Sequence, residues 1–596
     1  MRLKSVKPFV GYGLSWSITM RIIEIALTNF RSFQATQAIP LAPITLMFGP
    51  NSVGKSSVLQ ALFYLQQILA KGHCDPQRID VLGEKHIGGF ASLVNDGDLN
   101  KRIVIKLHVA KDDSIGGSYN QLYELINEDF GLTVDSPTAD AVRFAVELHI
   151  AWSKSAETAY VACYKLWLDD TLIAELNSDA GMKQPVLAWL NYQHPALLTE
   201  LDLDEAPERE AEGFVSVLHE LLNAQRPTRQ VSRRESRHLS EMTFAHAELG
   251  FEGFAGALPL LGKRLETTVE HDDPRITTRL HEILSDVLVA PLDNLLTLLN
   301  QSLCIGPLRM VPDALRQPNP YPEQKDWYSG AAAWDVVSAL SRQHKAPALL
   351  AEINQWMGHL GLGYSLRAKS VVSKVVYSGG DDSLGELRAM LDAHGDKLEI
   401  SFSGADEEGN PSDQKAPIDM EKLKALLQEL APDSAAPKGA VIEQVRNQWA
   451  LWDDARQCEV AFSEVGVGIS QLFPLIVAAV EARQGLVTCE QPELHVHPRI
   501  QVDIGDLLTQ ANRQCSFLIE THSEHLILRI LRRIRESTEG ELPDGLKPLA
   551  PEDVSIIYLD TAAGGVKATR IEIDRYGEFT SRWPKGFFAE RGEELF

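Results

Sequence analysis

Cysteine is scarce: Cys74, Cys163, Cys304, Cys458, Cys489 and Cys515 are the only six among 596 residues, and no two are spaced as Cys-x-x-Cys. That scatter excludes a dense disulfide framework or a cysteine zinc site and fits reduced thiols in a cytoplasmic protein. Long apolar runs are missing too. The longest, Leu472–Val480, is interrupted by Pro474 and falls well short of the ~20 residues that a membrane-crossing helix needs, so no membrane is expected. Positive charge is in deficit, with 57 Lys and Arg against 82 Asp and Glu, a formal net charge of −25. Such a chain is not a nonspecific polyanion binder, and any DNA or RNA contact needs a local basic patch or a partner. No sustained heptads point to a long coiled coil, and no internal repeat is evident. The start has no signal-peptide core or cleavage pattern. Regular strand patterning begins at Met20, so residues 1–19 read as a disordered extension.

What is present begins with a motif. Residues 49–56 read Gly-Pro-Asn-Ser-Val-Gly-Lys-Ser, a P-loop. Gly49 and Gly54 let the backbone wrap so that its N–H groups, through Asn51, Ser52 and Val53, meet phosphate oxygens. Lys55 supplies a cation for the β- and γ-phosphates, and Ser56 a hydroxyl for Mg²⁺. Ser57 follows in the helix whose positive dipole end adds to the site. The context fits: Pro43–Phe48 reads as a strand running into the loop. Ser56–Leu69 carries Val58, Leu59, Leu62, Leu65 and Ile68 on one helical stripe.

Three later segments carry further chemistry. Gln484–Cys489 reads as a buried strand ending in Glu490, the carboxylate a Walker B element uses to hold Mg²⁺ through its water shell. The next position, where a glutamate usually polarises the attacking water, is Gln491. An amide orients water but accepts no proton, which predicts slow hydrolysis unless Glu493 does that work. A second strand ends in Thr521-His522-Ser523, where His522 is placed to sense a γ-phosphate. Gly466-Val-Gly468-Ile-Ser470-Gln471 opens a strongly apolar helix, with Gly466, Gly468 and Ser470 at a second phosphate-binding helix end; the plain alternative is a turn with an N-cap.

This order resembles the ATP-binding-cassette ATPases of the SMC, Rad-fifty and overcoming-lysogenization-defect group. Leu27-Thr-Asn-Phe-Arg-Ser-Phe33 looks like its opening strand and turn, which adds Arg31 to the nucleotide-binding residues. Gly466–Gln471 looks like its degenerate signature, and Glu490–Pro498 with Thr521–Ser523 like its Walker B and switch histidine. Glu-Gln-Pro-Glu and the ending Trp583-Pro-Lys-Gly-Phe-Phe588 are similar to a bacterial branch that includes Septu-type and retron-associated anti-phage ATPases. The resemblance implies an α/β P-loop NTPase of ABC/SMC-head type, a mixed sheet flanked by helices with a large α+β insertion. It divides the chain into residues 20–110 with Walker A, an inserted region 111–300 that is β-rich and then helical, and residues 301–596 with the signature, Walker B, switch histidine and tail. It implies ATP and Mg²⁺ as cofactors, held at Ser56 and Glu490, and a homodimer or higher even oligomer that closes around nucleotide. It also implies a partner nuclease or other effector, because too few residues follow Ser523 for a nuclease domain within the chain. Asn95 is its Q-loop candidate.

Two other readings stand beside this one. His-x-His next to carboxylates suggests a metal-dependent hydrolase at Glu490, Glu493, His495 and His497. Alternatively, the arginines at 226, 229, 233, 234 and 237 suggest an ATP-sensing scaffold that contacts nucleic-acid phosphates, unless they face the acidic run at 200–212. Residues 404–417, polar with Gly and Pro, read as a flexible loop.

Overall fold

A computed structural model describes residues 20–111, 119, 138, 141–181, 185–198, 214–224, 249–311, 318–340, 346–376, 398–405, 411–417, 441–461, 464–482, 484–511, 514–581 and 583. The expected extension 1–19, the acidic run at 200–212 and the arginine cluster at 226–237 lie outside these residues, as does the ending beyond Trp583.

The chain divides into two compact units, one of Met1–Val311, Tyr321–Trp334 and Gly466–Phe596, the other of Pro312–Pro320 and Asp335–Val465. In the first unit, strands β1 (Met20–Thr28), β2 (Gln37–Pro40), β3 (Ile44–Phe48), β4 (Ile103–Lys111), β5 (Arg143–Ser153), β6 (Thr158–Leu168), β7 (Thr171–Asn177), β8 (Val186–Leu190) and β9 (Leu249–Gly250) are followed by two short strands, β10 (Gly253–Phe254) and β11 (Leu258–Pro259). Later come β12 (Leu303–Ile305), β18 (Leu486–Glu490), β19 (Ser516–Glu520), β20 (Val554–Ala562) and β21 (Gly565–Ile571). The second unit holds β13 (Tyr364–Val376), β14 (Leu398–Ala405), β15 (Pro411–Pro417), β16 (Val441–Asp453) and β17 (Cys458–Val460).

The sheet that positions the site runs β12-β18-β19-β3-β20-β21. Every neighbouring pair is parallel except β20 with β21. Its three central strands, Ile-Thr-Leu-Met-Phe, Leu-Val-Thr-Cys-Glu and Ser-Phe-Leu-Ile-Glu, are buried at every position. Short, continuously apolar strands of this kind belong in parallel sheets covered on both faces. All three end at the same edge, so the P-loop after Phe48, Glu490 and Glu520 emerge together, the usual ligand crevice of such sheets.

A second, eight-stranded antiparallel sheet runs β2-β1-β4-β5-β6-β7-β8-β9. In β4, buried and half-buried residues alternate strictly, the period of a strand with one face inward. Helix α1 (Lys55–Lys71) shares a core with both sheets. Its predicted stripe is right but too narrow, because residues 57–69 are buried all round, as expected of a helix enclosed on every side. The other helices of ten or more residues are α2 (Phe214–Ala224), α3 (Pro274–Leu288), α4 (Ala290–Asn300), α5 (Ala331–Leu340), α6 (Ala346–His359), α7 (Val467–Glu481), α8 (Pro498–Gln510) and α9 (Glu524–Glu539).

Strands β5–β8 extend the sheet that β1 and β4 begin, and the smaller unit is made of Pro312–Pro320 and Asp335–Val465. One expectation changes. Residues 404–405 and 411–417, from the segment read as a flexible loop, lie in the antiparallel pair β14–β15, in register from Glu399 with Pro417 to Ala405 with Pro411. Backbone pairing there needs no apolar alternation, which is why its composition resembled a loop. No helix among the described residues is long and apolar enough to cross a membrane.

Candidate functional site

The P-loop takes its shape from the two positions where only glycine fits. Gly49 has φ +142°, and a Cβ there would lie 2.3 Å from the Leu559 carbonyl oxygen; Gly54 has φ +118°, with Ser32 Oγ 2.4 Å from its virtual Cβ. Gly54 caps α1 without any side-chain bond, and the first turn holds no acidic residue, so the helix presents unsatisfied N–H groups and an uncancelled dipole to an anion. Asn51 and Ser52 are exposed at the loop's crest, Val53 and Ser57 are buried beneath it, and Ser57 N–H donates to Gly54 O at 3.0 Å. Trp583 meets Phe48, the last residue of β3, edge to face at 5.4 Å.

Lys55 is 3% exposed. Its Nζ donates to Gly49 O at 3.0 Å and Pro50 O at 2.9 Å and lies 3.7 Å from Glu520 Oε1. Burial lowers its pKa, and the charge of Glu520 works in the opposite direction. Ser56 Oγ lies 2.8 Å from Glu490 Oε2 and 2.9 Å from Glu520 Oε2. The two glutamates are direct cross-strand neighbours in the parallel register. Glu520 has its pKa raised, first by burial and then by Glu490. Glu520 escaped the sequence reading; the available signal was an acid at the end of a buried strand, the same signal that identified Glu490.

Two further residues went unrecognised. Tyr328 OH donates to Glu490 Oε1 at 3.3 Å, and burial raises its pKa, followed by the Glu490 charge. The buried Arg309 guanidinium donates to Glu490 O at 2.6 Å and to Gln471 O at 3.0 Å, tying the end of β18 to helix α7. Nothing local to Arg309 announces this, because its partners are 162 and 181 residues away in sequence.

Gln491 turns the chain at φ +46°, and its N–H donates to Glu520 O at 2.7 Å. Glu493 Oε1 accepts from His522 N–H at 2.6 Å. Glu493 Oε2 and His522 Nε2 are both buried without a hydrogen-bond partner among the described residues. Burial raises the Glu493 pKa, while burial and then Lys55 lower that of His522, favouring the neutral ring. Both residues, with Gln491, His495 and His497, line a cavity of ≈ 620 Å³.

The expected metal set at Glu490, Glu493, His495 and His497 does not assemble. Among the described residues, these side chains form no group of three ligand atoms within mutual reach. His495 and His497 are exposed, and His497 Nδ1 is engaged in capping α8 through Arg499 N–H at 3.2 Å. In contrast, Ser56, Glu490 and Glu520 bring one hydroxyl and two carboxylates together, the hard oxygen donors that suit Mg²⁺.

The signature segment opens α7, with Gly466 at the N-cap. Gly466 and Val467 are exposed and Gly468 half-buried; a Cβ on Gly468 would sit 3.3 Å from His495 O. Ser470 departs from expectation. It is fully buried, its Oγ donates back to Val467 O at 2.8 Å, and it lies in the stretch of α7 that is buried at every position from Ile469 to Val480. Arg31 sits in the opening turn at φ +50° with its Nε buried and unpartnered; the turn touches the P-loop through Ser32 Oγ, which donates to Val53 O at 3.3 Å. Asn95 is buried and fixes that turn, donating to Arg31 O at 2.7 Å and accepting from Lys101 at 2.9 Å.

Residues 20–145 match the family described as "AAA ATPase domain", and residues 316–529 that described as "AAA domain, putative AbiEii toxin, Type IV TA system". Residues 549–596 match "Protein of unknown function (DUF3696)". The chain is similar to the DNA replication and repair protein RecF of Chloroflexus aggregans, 36% identical over 88 residues, 14% of this chain and 22% of that protein. It is also similar to RecF of Desulforamulus reducens, 40% identical over 45 residues, 8% of this chain and 12% of that one. The chain thus spans less than a quarter of either relative. Among solved structures, an SMC head bound to the C-terminal winged-helix domain of ScpA aligns over 93% of this chain and 98% of that one, with 8% identity and a TM-score of 0.34. The SMC head domain from Thermotoga maritima aligns over 93% and 100%, with 8% identity and a TM-score of 0.32. Two separate stretches of the chain, residues 20–145 and 316–529, thus match AAA-type ATPase domains.

Proposed function

We propose that this chain binds Mg²⁺·ATP at the edge shared by β3, β18 and β19, and hydrolyses it slowly in a dimer closed around nucleotide. One observation carries the reading: the Ser56 hydroxyl, at the head of the P-loop helix, is within hydrogen-bond distance of Glu490, with the buried Lys55 ammonium alongside. Lys55 and the P-loop amides hold the β- and γ-phosphates, Ser56 and Glu490 hold Mg²⁺ and its waters, and His522 Nε2 accepts or donates one hydrogen bond at the γ-phosphate side. The ion, when bound, neutralises the charge that develops between the β- and γ-oxygens.

Slow turnover follows from Gln491, which supplies no base. Replacing it with glutamate is expected to raise turnover by at least about tenfold, since general-base catalysis contributes ~10²-fold or more. The second half of each site comes from another copy, through the exposed Gly466–Gly468 end of α7 rather than through Ser470. Mixing tests this. Lys55→Ala and Gly468→Asp chains, each inactive alone, should regain part of the wild-type ATPase rate together, because mixed dimers contain one intact composite site. No recovery would remove the shared-site dimer from the account.

The resemblance of Glu490–Pro498 and the Trp583 ending to anti-phage ATPases supports a role in which nucleotide state controls a partner nuclease or another nucleic-acid process. Co-purification from the native host, followed by nuclease assay with and without ATP, tests that role.

A further inference from the structure

The residue after Glu490 is an amide, yet a second carboxylate reaches the same hydroxyl from the neighbouring strand. We propose that Glu520 is the second carboxylate of the Mg²⁺ site, supplying from β19 the negative charge that position 491 lacks. This rests on the reading of the site as an ATP site.

The geometry contains an unmet requirement. Ser56 has one hydroxyl proton, but two carboxylate oxygens lie 2.8 and 2.9 Å from its oxygen. It satisfies only one of them at a time. Glu490 has a further donor in Tyr328. Glu520 has Lys55 at 3.7 Å, too far for a hydrogen bond, and Lys55 directs its protons to Gly49 O and Pro50 O. Two buried carboxylates on adjacent residues of a parallel ladder repel each other, and one ammonium cannot balance both. A divalent ion at the Ser56 hydroxyl meets both needs, because any oxygen within hydrogen-bond distance of that hydroxyl is within reach of an ion bound to it or of the ion's water shell.

The consequence is a site biased against metal-free nucleotide. Without Mg²⁺, the triphosphate faces two carboxylates next to the P-loop; with it, the same carboxylates become ligands. Removing the Glu520 charge therefore acts in opposite directions in the two conditions. A merely structural Glu520, bracing Ser56, would weaken binding in both.

The test is calorimetric titration of the full chain with ATP, in EDTA and in Mg²⁺, for wild type, Glu520→Gln and Glu520→Asp. The wild type should bind ATP much more tightly with Mg²⁺. In Glu520→Gln, metal-free ATP should bind more tightly, by on the order of tenfold for one charge a few ångströms from the phosphates. Mg²⁺·ATP should bind more weakly, so the ratio of the two affinities collapses. Glu520→Asp should keep the wild-type ratio. Mn²⁺ bound with ATP, followed by electron paramagnetic resonance, should lose affinity in Glu520→Gln alone. If Glu520→Gln fails to fold, Glu520→Ser carries the same expectation. An unchanged ratio in the neutral variant, or a parallel loss in both conditions, overturns the proposal. Absence of ATP binding by the wild type in either condition would instead overturn the ATP-site reading beneath it.

Discussion

Replacing Arg309 with methionine tests whether one buried guanidinium holds the Walker B end and the signature helix together. Methionine keeps most of the side-chain volume and removes every donor. Two backbone carbonyls, Glu490 O and Gln471 O, then lose their charge-assisted partner. Hydrogen bonds to charged groups contribute about 1.5–3 kcal/mol each, so the two together are worth about 3–6 kcal/mol. With an unfolding entropy of about 2.1 cal/mol/K per residue, a loss of that size in a unit of several hundred residues lowers its transition temperature by about 3–6 °C. Differential scanning calorimetry of the full chain reads this in the transition that shifts on adding Mg²⁺·ATP. Arg309→Lys, which keeps the charge but loses the planar fork whose two nitrogens reach the separate carbonyls, should fall between. Mg²⁺·ATP affinity should drop in the same order, because both the Glu490 terminus and the start of α7 are loosened. If Arg309→Met melts with the wild type, the brace is not energetically significant and the link between β18 and α7 lies elsewhere.

Further expectations concern the loop and the cavity. Gly49→Ala places a Cβ 2.3 Å from Leu559 O at a φ of +142°, so the loop must move; fluorescence titration should show at least a hundredfold loss of ATP affinity with the fold retained by circular dichroism. Glu493 has its pKa raised by burial in the folded protein. Its contribution is therefore fully present below the unfolded pKa and is lost as pH rises through the folded value. Glu493→Gln should match the wild-type melting temperature in acid and exceed it above neutrality in the nucleotide-free protein, checked by melting curves from acid to mildly alkaline pH.

Much of the site was legible because its signals are local. A P-loop needs glycines at fixed spacing, and buried parallel strands are short apolar runs ending in polar residues, so Lys55, Ser56, Glu490 and His522 could be placed from sequence. Glu520 carried the same signal but stood beside a more familiar Thr-His-Ser. Arg309 and Tyr328 had no such signal, since their roles exist only once β18 lies beside them in the fold. Ser470 was singled out because a serine near a helix start suggests a phosphate contact, whereas it lies in a stretch of α7 that is buried at every position from Ile469 to Val480. The pairing of β14 with β15 was missed because ladder pairing leaves no trace in polar sequence, and the joining of β5–β8 to β1 through β4 leaves none because sheet membership is a long-range property.

The central claim is that Lys55, Ser56 and Glu490 form one Mg²⁺·ATP site. Equilibrium binding of Mg²⁺·ATP to the wild type and to Lys55→Ala tests it most directly. The account predicts saturable binding by the wild type and loss of at least two orders of magnitude in affinity on removing the buried ammonium, with the fold intact. Equal affinities would contradict it.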